Sequence, residues 1–325
     1  MIYHNIISRR FLIFLTGIAI ALLIILSSIP SLALTDEDIN NMSSQTTVLI
    51  AESLKKGDVE EIKEWYPGSG AIISHYGDNY YALTNAHVVR EPRPGTIWGV
   101  RTADGEVHQL TETADSIIRF GAFTDDDQPI PGFDLAIVKF TSDRNYPVAV
   151  IGDSSKLHVN DPVYISGWPN PDDGNKRRER KFTPGQVAKI ANDPDTKNGG
   201  YNVMYSNWTK AGMSGGPVFN SLGEVVATHG RGRGNSVNYC VDPQLNANNS
   251  CGIQAIHFIS QIQAKKIKLA LTPPPVKSEV IEQGKKNKAK ADVIEDIYKL
   301  FSDIRVPLKD CPLGVSIPDC QSSDN

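Results

Sequence analysis

An all-β fold is predicted for this chain, and three segments predict it. Tyr80-Tyr81-Ala82-Leu83-Thr84-Asn85-Ala86-His87-Val88-Val89 is an apolar run rich in β-formers that delivers a histidine at its end. Gly132-Phe133-Asp134-Leu135-Ala136-Ile137-Val138-Lys139-Phe140 alternates with a period of two and opens with an aspartate. Ala211-Gly212-Met213-Ser214-Gly215-Gly216-Pro217-Val218 holds a serine between glycines just before an apolar stretch.

These three segments also carry chemistry. A serine hydroxyl is a weak nucleophile at neutral pH and needs a neighbouring base, and the base needs an acceptor on its other nitrogen to fix its tautomer. Glycines around the serine allow backbone N–H groups to converge on one point, as an oxyanion hole requires. Ser214 is therefore the candidate nucleophile, His87 the candidate base and Asp134 the candidate orienter. Each feature alone is common for packing or turn reasons; their joint occurrence points to catalysis.

Remaining elements follow in chain order. Thr46 to Ala51 reads as the first strand and Pro67 to Ile73 as the second, with the charge-patterned, helix-like Lys55 to Glu64 between them. Strands and turns alternate to about Ile151. Asp153 to Val159 is a connection, Pro162 to Trp168 opens a second set of strands, and Ile256 to Leu271 reads as a C-terminal helix.

In the order TNAHVV, DLAIVKF, GMSGGPV, the chain resembles the chymotrypsin-like serine peptidases over roughly Thr46 to Ala270. The resemblance implies two antiparallel six-stranded β-barrels, the first about 46–152 and the second about 160–271, with a cleft between them and a C-terminal helix packed on them. It implies an oxyanion hole from the backbone N–H groups of Gly212 and Ser214. Animal digestive members carry an aspartate just before the nucleophile, where this chain has Met213, so their activation switch is not expected here. The likeness is closer to bacterial branches, including glutamyl endopeptidases and the protease domain of HtrA-type enzymes. No segment of PDZ size follows, so the expectation is against a full HtrA-type chaperone-protease.

The run Gly212 to Gly230 resembles that of glutamyl endopeptidases without a gap, which implies a substrate pocket formed by Thr209, His229, Gly230 and Arg231. There His229 and Thr209 would donate to a substrate carboxylate, and Arg231 and Arg233 would add positive potential. The alternative for His229 is a satisfied barrel histidine. Trp208 stands where trypsin-like enzymes place a pocket-floor aspartate, so cleavage after Lys or Arg is not supported, and its indole offers a rival pocket filler favouring small residues.

Composition bounds the class. With 325 residues, 33 Lys+Arg against 37 Asp+Glu and a net charge of −4, the chain can bury one large or two medium cores and shows no pull toward nucleic acid. Arg9-Arg10, an apolar run from Phe11 to Ile29 and the small residues Ser31-Leu32-Ala33 read as a signal peptide over 1–33. An uncleaved membrane anchor is the alternative, since the run is long enough to span a bilayer. Residues 34–45 are polar and are expected to be flexible or a pro-segment.

The cysteines number 4, in keeping with export, and local pairing of Cys240 with Cys251 and of Cys311 with Cys320 is the economical choice among three connectivities. No metal or other cofactor is expected, because Cys-x-x-Cys spacing is lacking and the histidines are scattered. Lys176 to Lys181 reads as a solvated hairpin loop and Asp125-Asp126-Asp127 as an exposed acidic turn. Residues 272–325 form a Pro-rich linker, a charged stretch and an amphipathic segment, Asp292 to Phe301, expected to cover its own domain.

The expectation is thus an exported serine endopeptidase, periplasmic or extracellular, acting on proteins or peptides with a preference for cleavage after Glu or Asp. An inactive protease-like binding module and a membrane-anchored protease are the competing readings.

Overall fold

A computed structural model describes residues 34–54, 67–90, 97–110, 116–122, 131–171, 178–233, 244–245 and 248–271. The signal segment, the Lys55 to Glu64 stretch, the Asp125 turn, Cys240 and the tail from Thr272, with Cys311 and Cys320, lie outside the described residues.

The described chain runs α1 (Asp36–Thr46), β1 (Thr47–Glu52), β2 (Gly68–Tyr76), β3 (Asn79–Thr84), β4 (Trp98–Arg101), β5 (Val107–Gln109), β6 (Ile117–Gly121) and β7 (Gly132–Thr141). After a short 3-10 turn at Ser154–Lys156 it continues through β8 (Pro162–Gly167), β9 (Lys181–Ile190), β10 (Val203–Tyr205), β11 (Pro217–Phe219), β12 (Val225–Arg231), β13 (Ser250–Gln254) and α2 (Ala255–Ala264). The fold is all-β, as the sequence predicts. Its first half is a seven-stranded antiparallel sheet in the order β5-β4-β1-β2-β3-β7-β6, and its second half is a closed six-stranded barrel in the order β10-β13-β12-β11-β8-β9. The first unit thus differs in strand count from the six expected.

The period-two pattern of β7 lacks polar residues at its centre because both faces of this strand are buried. Leu135 and Ile137 join a cluster with Ile73, Leu83, Phe219 and Phe258, so they face the second barrel and α2. Ala136, Val138 and Phe140 face the other way, onto Val48, Ile72 and Trp98 in the interior of the first sheet. Val163, Ile165, Val187, Val218 and Val226 fill the second barrel, and Met213 joins them, fully buried. The residue before the candidate nucleophile is therefore anchored by apolar burial.

Two expectations are corrected. Residues 34–45, expected to be flexible, largely form α1, because Thr35 and Asp38 make a capping box: the Asp38 N–H donates to Thr35 Oγ1 at 3.1 Å and the Thr35 N–H to Asp38 Oδ2 at 2.9 Å. Ile39 is fully buried beneath the helix, and Tyr164 donates to Asp36 at 2.7 Å. At the other end, α2 stops at Ala264 rather than reaching Leu271, and Lys266 turns the chain with a φ of 55°.

Candidate active site

Strand pairing brings the histidine and the aspartate together. β3 and β7 are antiparallel neighbours with Thr84 opposite Ala136, so the residues just past Thr84 meet those just before Ala136. Asn85 Nδ2 donates to the Asp134 carbonyl at 2.7 Å, the His87 backbone N–H donates to Asp134 Oδ1 at 2.9 Å, and His87 Nδ1 lies 2.6 Å from Asp134 Oδ2. The Asp134 side chain is wholly buried and the His87 ring is 21% exposed, so the pair has one dry end and one end open to a cleft.

Burial alone would raise the Asp134 pKa. The adjacent His87 charge, hydrogen bonds from His87 and Tyr201 and the charge of Arg231 outweigh it and hold the carboxyl below its usual range. An ionised carboxylate only accepts, so the proton between them sits on His87 Nδ1 and leaves Nε2 as the accepting nitrogen.

Ser214 arrives from the loop between β10 and β11. Gly212 and Gly215 take φ values of 97° and 85°, a region costly for other residues. A Cβ on Gly215 would stand 2.1 Å from both the Ser69 carbonyl oxygen and Thr84 Oγ1. The loop is pinned on two sides. From β12, the His229 carbonyl accepts from the Gly215 N–H at 2.7 Å and the His229 N–H donates to the Gly216 carbonyl at 2.9 Å. From β2, the Ser69 N–H donates to the Ser214 carbonyl at 2.7 Å and Ser69 Oγ to the Gly212 carbonyl at 2.8 Å.

The N–H groups of Met213, Gly215 and Gly216 are all engaged by backbone carbonyls. Among the described residues, those of Gly212 and Ser214 donate to none. The Ser214 hydroxyl donates to the Gly230 carbonyl at 3.3 Å and, among the described residues, makes no hydrogen bond to His87.

The residues expected to line a pocket fall on two neighbouring segments. Thr209 Oγ1 lies 2.7 Å from Ser250 Oγ, and a Cβ on Gly232 would lie 3.4 Å from Thr209 Oγ1. Arg233 donates to the Ser206 carbonyl at 3.0 Å, tying the two segments together. His229 is 2% exposed, and its Nδ1 lies 2.9 Å from Tyr205 Oη. Burial first, then the nearby charge of His87, push its pKa down to about 3 against a weaker opposing effect of the Cys251 backbone, so the imidazole is neutral. The guanidinium of Arg231 lies over the Tyr201 ring, 5.3 Å from its centroid. Trp208 is 46% exposed, and Cys251 is buried on β13.

Sequence reading missed three residues that hold this site. Ser69 and Tyr201 act across long sequence separations, and Arg178 bonds residues 10 and 8 positions before it. Arg178 falls in the stretch expected to be a solvated loop, yet it is 3% exposed and donates to the Trp168 carbonyl at 2.9 Å and Asn170 Oδ1 at 2.8 Å. Burial lowers its pKa to about 10, still charged at neutral pH. Its Nη1 would lie 2.8 Å from a Cβ on Gly212, directly behind the serine loop. Arg180 likewise turns inward, donating to Asn40 Oδ1 of α1 at 2.6 Å and Ser166 Oγ at 3.0 Å. The expectation of a solvated loop is corrected for these two arginines: the loop supplies buried donors to the carbonyls and helix around it.

Among the described residues no group of His, Cys, Asp and Glu is arranged to hold a metal ion, and no helix is long and apolar enough to cross a membrane.

Residues 68–227 match the trypsin-like peptidase domain family. The chain is similar to a serine protease HtrA-like protein of Staphylococcus epidermidis, 26% identical over 193 residues, covering 58% of this chain and 28% of the relative. It is 33% identical over 164 residues to a probable periplasmic serine endoprotease DegP-like protein of Bartonella henselae, covering 50% of this chain and 27% of that one. It is 33% identical over 165 residues to a putative serine protease HhoA of Synechocystis, covering 49% and 35%. The matched chain spans about a third or less of these relatives' own lengths.

Proposed function

We propose that this chain, which carries the trypsin-like peptidase domain of the chymotrypsin-like serine peptidases, is a serine endopeptidase whose triad is His87, Asp134 and Ser214. The observation that carries this reading is the 2.6 Å contact of His87 Nδ1 with a wholly buried, ionised Asp134, beside a serine loop whose Gly212 and Ser214 N–H groups, among the described residues, donate to no backbone carbonyl.

Rotation about the serine Cα–Cβ bond exchanges the Gly230 carbonyl for His87 Nε2 as hydroxyl acceptor. His87 then takes the Ser214 proton as Oγ bonds to the substrate carbonyl carbon. The resulting oxyanion is held by the N–H groups of Gly212 and Ser214. As the tetrahedral species collapses, the C–N bond breaks and His87 gives its proton to the leaving amine. Water, deprotonated by His87, attacks the acyl-enzyme, and the second collapse returns the proton to Ser214.

For specificity we propose cleavage after Glu or Asp. Tyr205 stays a phenol, since burial holds its pKa well above the usual value, its Oη lies 2.9 Å from His229 Nδ1, and we assign the phenol as the donor of that pair. With that assignment the imidazole proton sits on Nε2, where a neutral donor together with Thr209 can meet a carboxylate, and Arg231 adds positive charge. Export is proposed from the charged and apolar leader, with cleavage after Ala33, directly ahead of the Thr35 cap of α1. A bond between Cys251 and Cys240 is proposed as well, supported by Cys251, the one described cysteine, not being a free thiol.

A peptide-library digest by the protein from residue 34 onward, beside its Ser214→Ala variant, tests the function. Ser214-dependent cuts after Glu or Asp that disappear in His229→Ala are expected. Cuts after small or apolar residues would keep the peptidase and remove the acidic pocket, and hydrolysis that survives in Ser214→Ala would overturn the triad.

A further inference from the structure

We propose that Tyr201 is a positioning residue for catalysis: its phenol, supplied by the second barrel, locks the Asp134 carboxylate of the first sheet behind His87. The proposal rests on the triad reading above.

Tyr201 Oη donates to Asp134 Oδ2, the same oxygen that faces His87 Nδ1. The other oxygen, Oδ1, is taken by the His87 backbone N–H. With only the His87 contacts, the carboxylate would be held by a single residue and would be free to tilt with it. The phenol adds a third donor from a different part of the fold, and that fixes the carboxylate plane. It stays a donor across the working pH range, since burial and the Asp134 charge hold its pKa well above the usual value.

The surroundings are shaped for this phenol. A Cβ on Gly230 would lie 2.3 Å from Tyr201 Oη, so the absence of a side chain there is what admits the hydroxyl. Gly199, with a φ of 86°, sits where a Cβ would lie 3.0 Å from the Tyr201 ring and 3.2 Å from Asp134 Cβ. Its carbonyl accepts from the Asp134 N–H at 2.9 Å. The loop that carries Tyr201 therefore grips Asp134 by backbone and side chain together. Facing the carboxylate are His87, Tyr201 and the charge of Arg231, whose guanidinium lies over the Tyr201 ring.

A phenol that merely joins the two halves would change stability when removed and leave turnover per competent molecule intact. A positioning phenol does more. Without it the carboxylate loses a donor, concentrates its charge on the oxygen facing Nδ1 and holds the imidazole proton more tightly. It also wanders, so His87 meets Ser214 in fewer productive geometries.

The test is Tyr201→Phe, with competent sites counted by fluorophosphonate titration. Expected are a fall in kcat of about tenfold or more, an unchanged KM, and an acid limb of kcat/KM moved up by about half a pH unit. Unchanged kcat and an unchanged acid limb would overturn the proposal while the triad stands. If the wild type takes no fluorophosphonate on Ser214 and Ser214→Ala still hydrolyses peptides, the triad reading itself has failed. Should Tyr201→Phe not fold, 4-fluorophenylalanine at position 201 fills the same space without a donor, and the same readings decide.

Discussion

Ser69 Oγ donates to the Gly212 carbonyl at 2.8 Å, joining residues 143 positions apart. The same oxygen accepts from the Trp168 N–H at 2.8 Å, and the Ser69 carbonyl accepts from Thr84 Oγ1 at 2.7 Å. One buried serine of the first sheet thus fixes which way the Gly212–Met213 peptide faces, and with it the Gly212 to Ser214 donors.

Ser69→Ala should therefore lower kcat by roughly tenfold with KM nearly unchanged, because the donors of the oxyanion hole are less well aimed. Leaving the Trp168 N–H and Gly212 carbonyl short of a partner should also cost about 1–3 kcal/mol of stability. Steady-state kinetics and urea unfolding check the two effects; a change in KM alone would contradict the assignment.

Gly215→Ala should be far more damaging than a surface substitution. Its φ of 85° and the 2.1 Å approach to the Ser69 carbonyl oxygen and Thr84 Oγ1 leave no room for a methyl group. A loss of at least ~2 kcal/mol is expected, with activity abolished; thermal unfolding and peptide hydrolysis measure both.

Stability should fall on mild acidification because of His229. Its pKa is pushed from 6.5 to about 3 in the folded protein, by burial and then by the charge of His87, so between those values the unfolded chain takes up a proton that the folded one refuses. The contribution is complete above pH 6.5 and drains away as pH falls toward 3, on the order of 2 kcal/mol being lost by pH 4.5. Asp134, held below its ordinary 3.8, adds a further loss that begins as pH falls below 3.8 and is complete once the folded carboxyl takes its proton at the lower value. Urea unfolding of wild type and His229→Gln at pH 7 and 4.5 should show a steeper decline in the wild type; parallel slopes would refute it.

Thr35→Ala should destabilise the protein by about 1 kcal/mol, because it removes the acceptor for the Asp38 N–H at the start of α1. A shift in the unfolding midpoint reports it. An unchanged midpoint would mean that α1 is held by its tertiary contacts, Ile39, Arg180 and the Tyr164–Asp36 hydrogen bond, without need of the cap.

What could be read from the chain was what is local. The strand-end His87, the strand-start Asp134 and the glycine-flanked Ser214 each announce their geometry within a few residues, and the β3–β7 register brings the first two together. Helix α1 was hidden because one buried isoleucine in a polar run gives almost no hydrophobic period; only Thr35 three residues before Asp38 marked it. Ser69, Arg178 and Tyr201 were illegible for a different reason. The partners of Ser69 and Tyr201 lie far off in sequence and those of Arg178 only 10 and 8 residues back, yet nothing beside a serine near glycines, an arginine in a charged run or a tyrosine after two glycines tells which carbonyl or carboxylate it will meet.

The most direct test of the central claim is the mass and peptide map of the protein after treatment with a fluorophosphonate. One adduct on the peptide bearing Ser214, absent in Ser214→Ala and strongly slowed in His87→Ala, is the expected result, with peptide hydrolysis lost in step. An adduct elsewhere, or hydrolysis that persists in Ser214→Ala, would contradict a peptidase built on His87, Asp134 and Ser214.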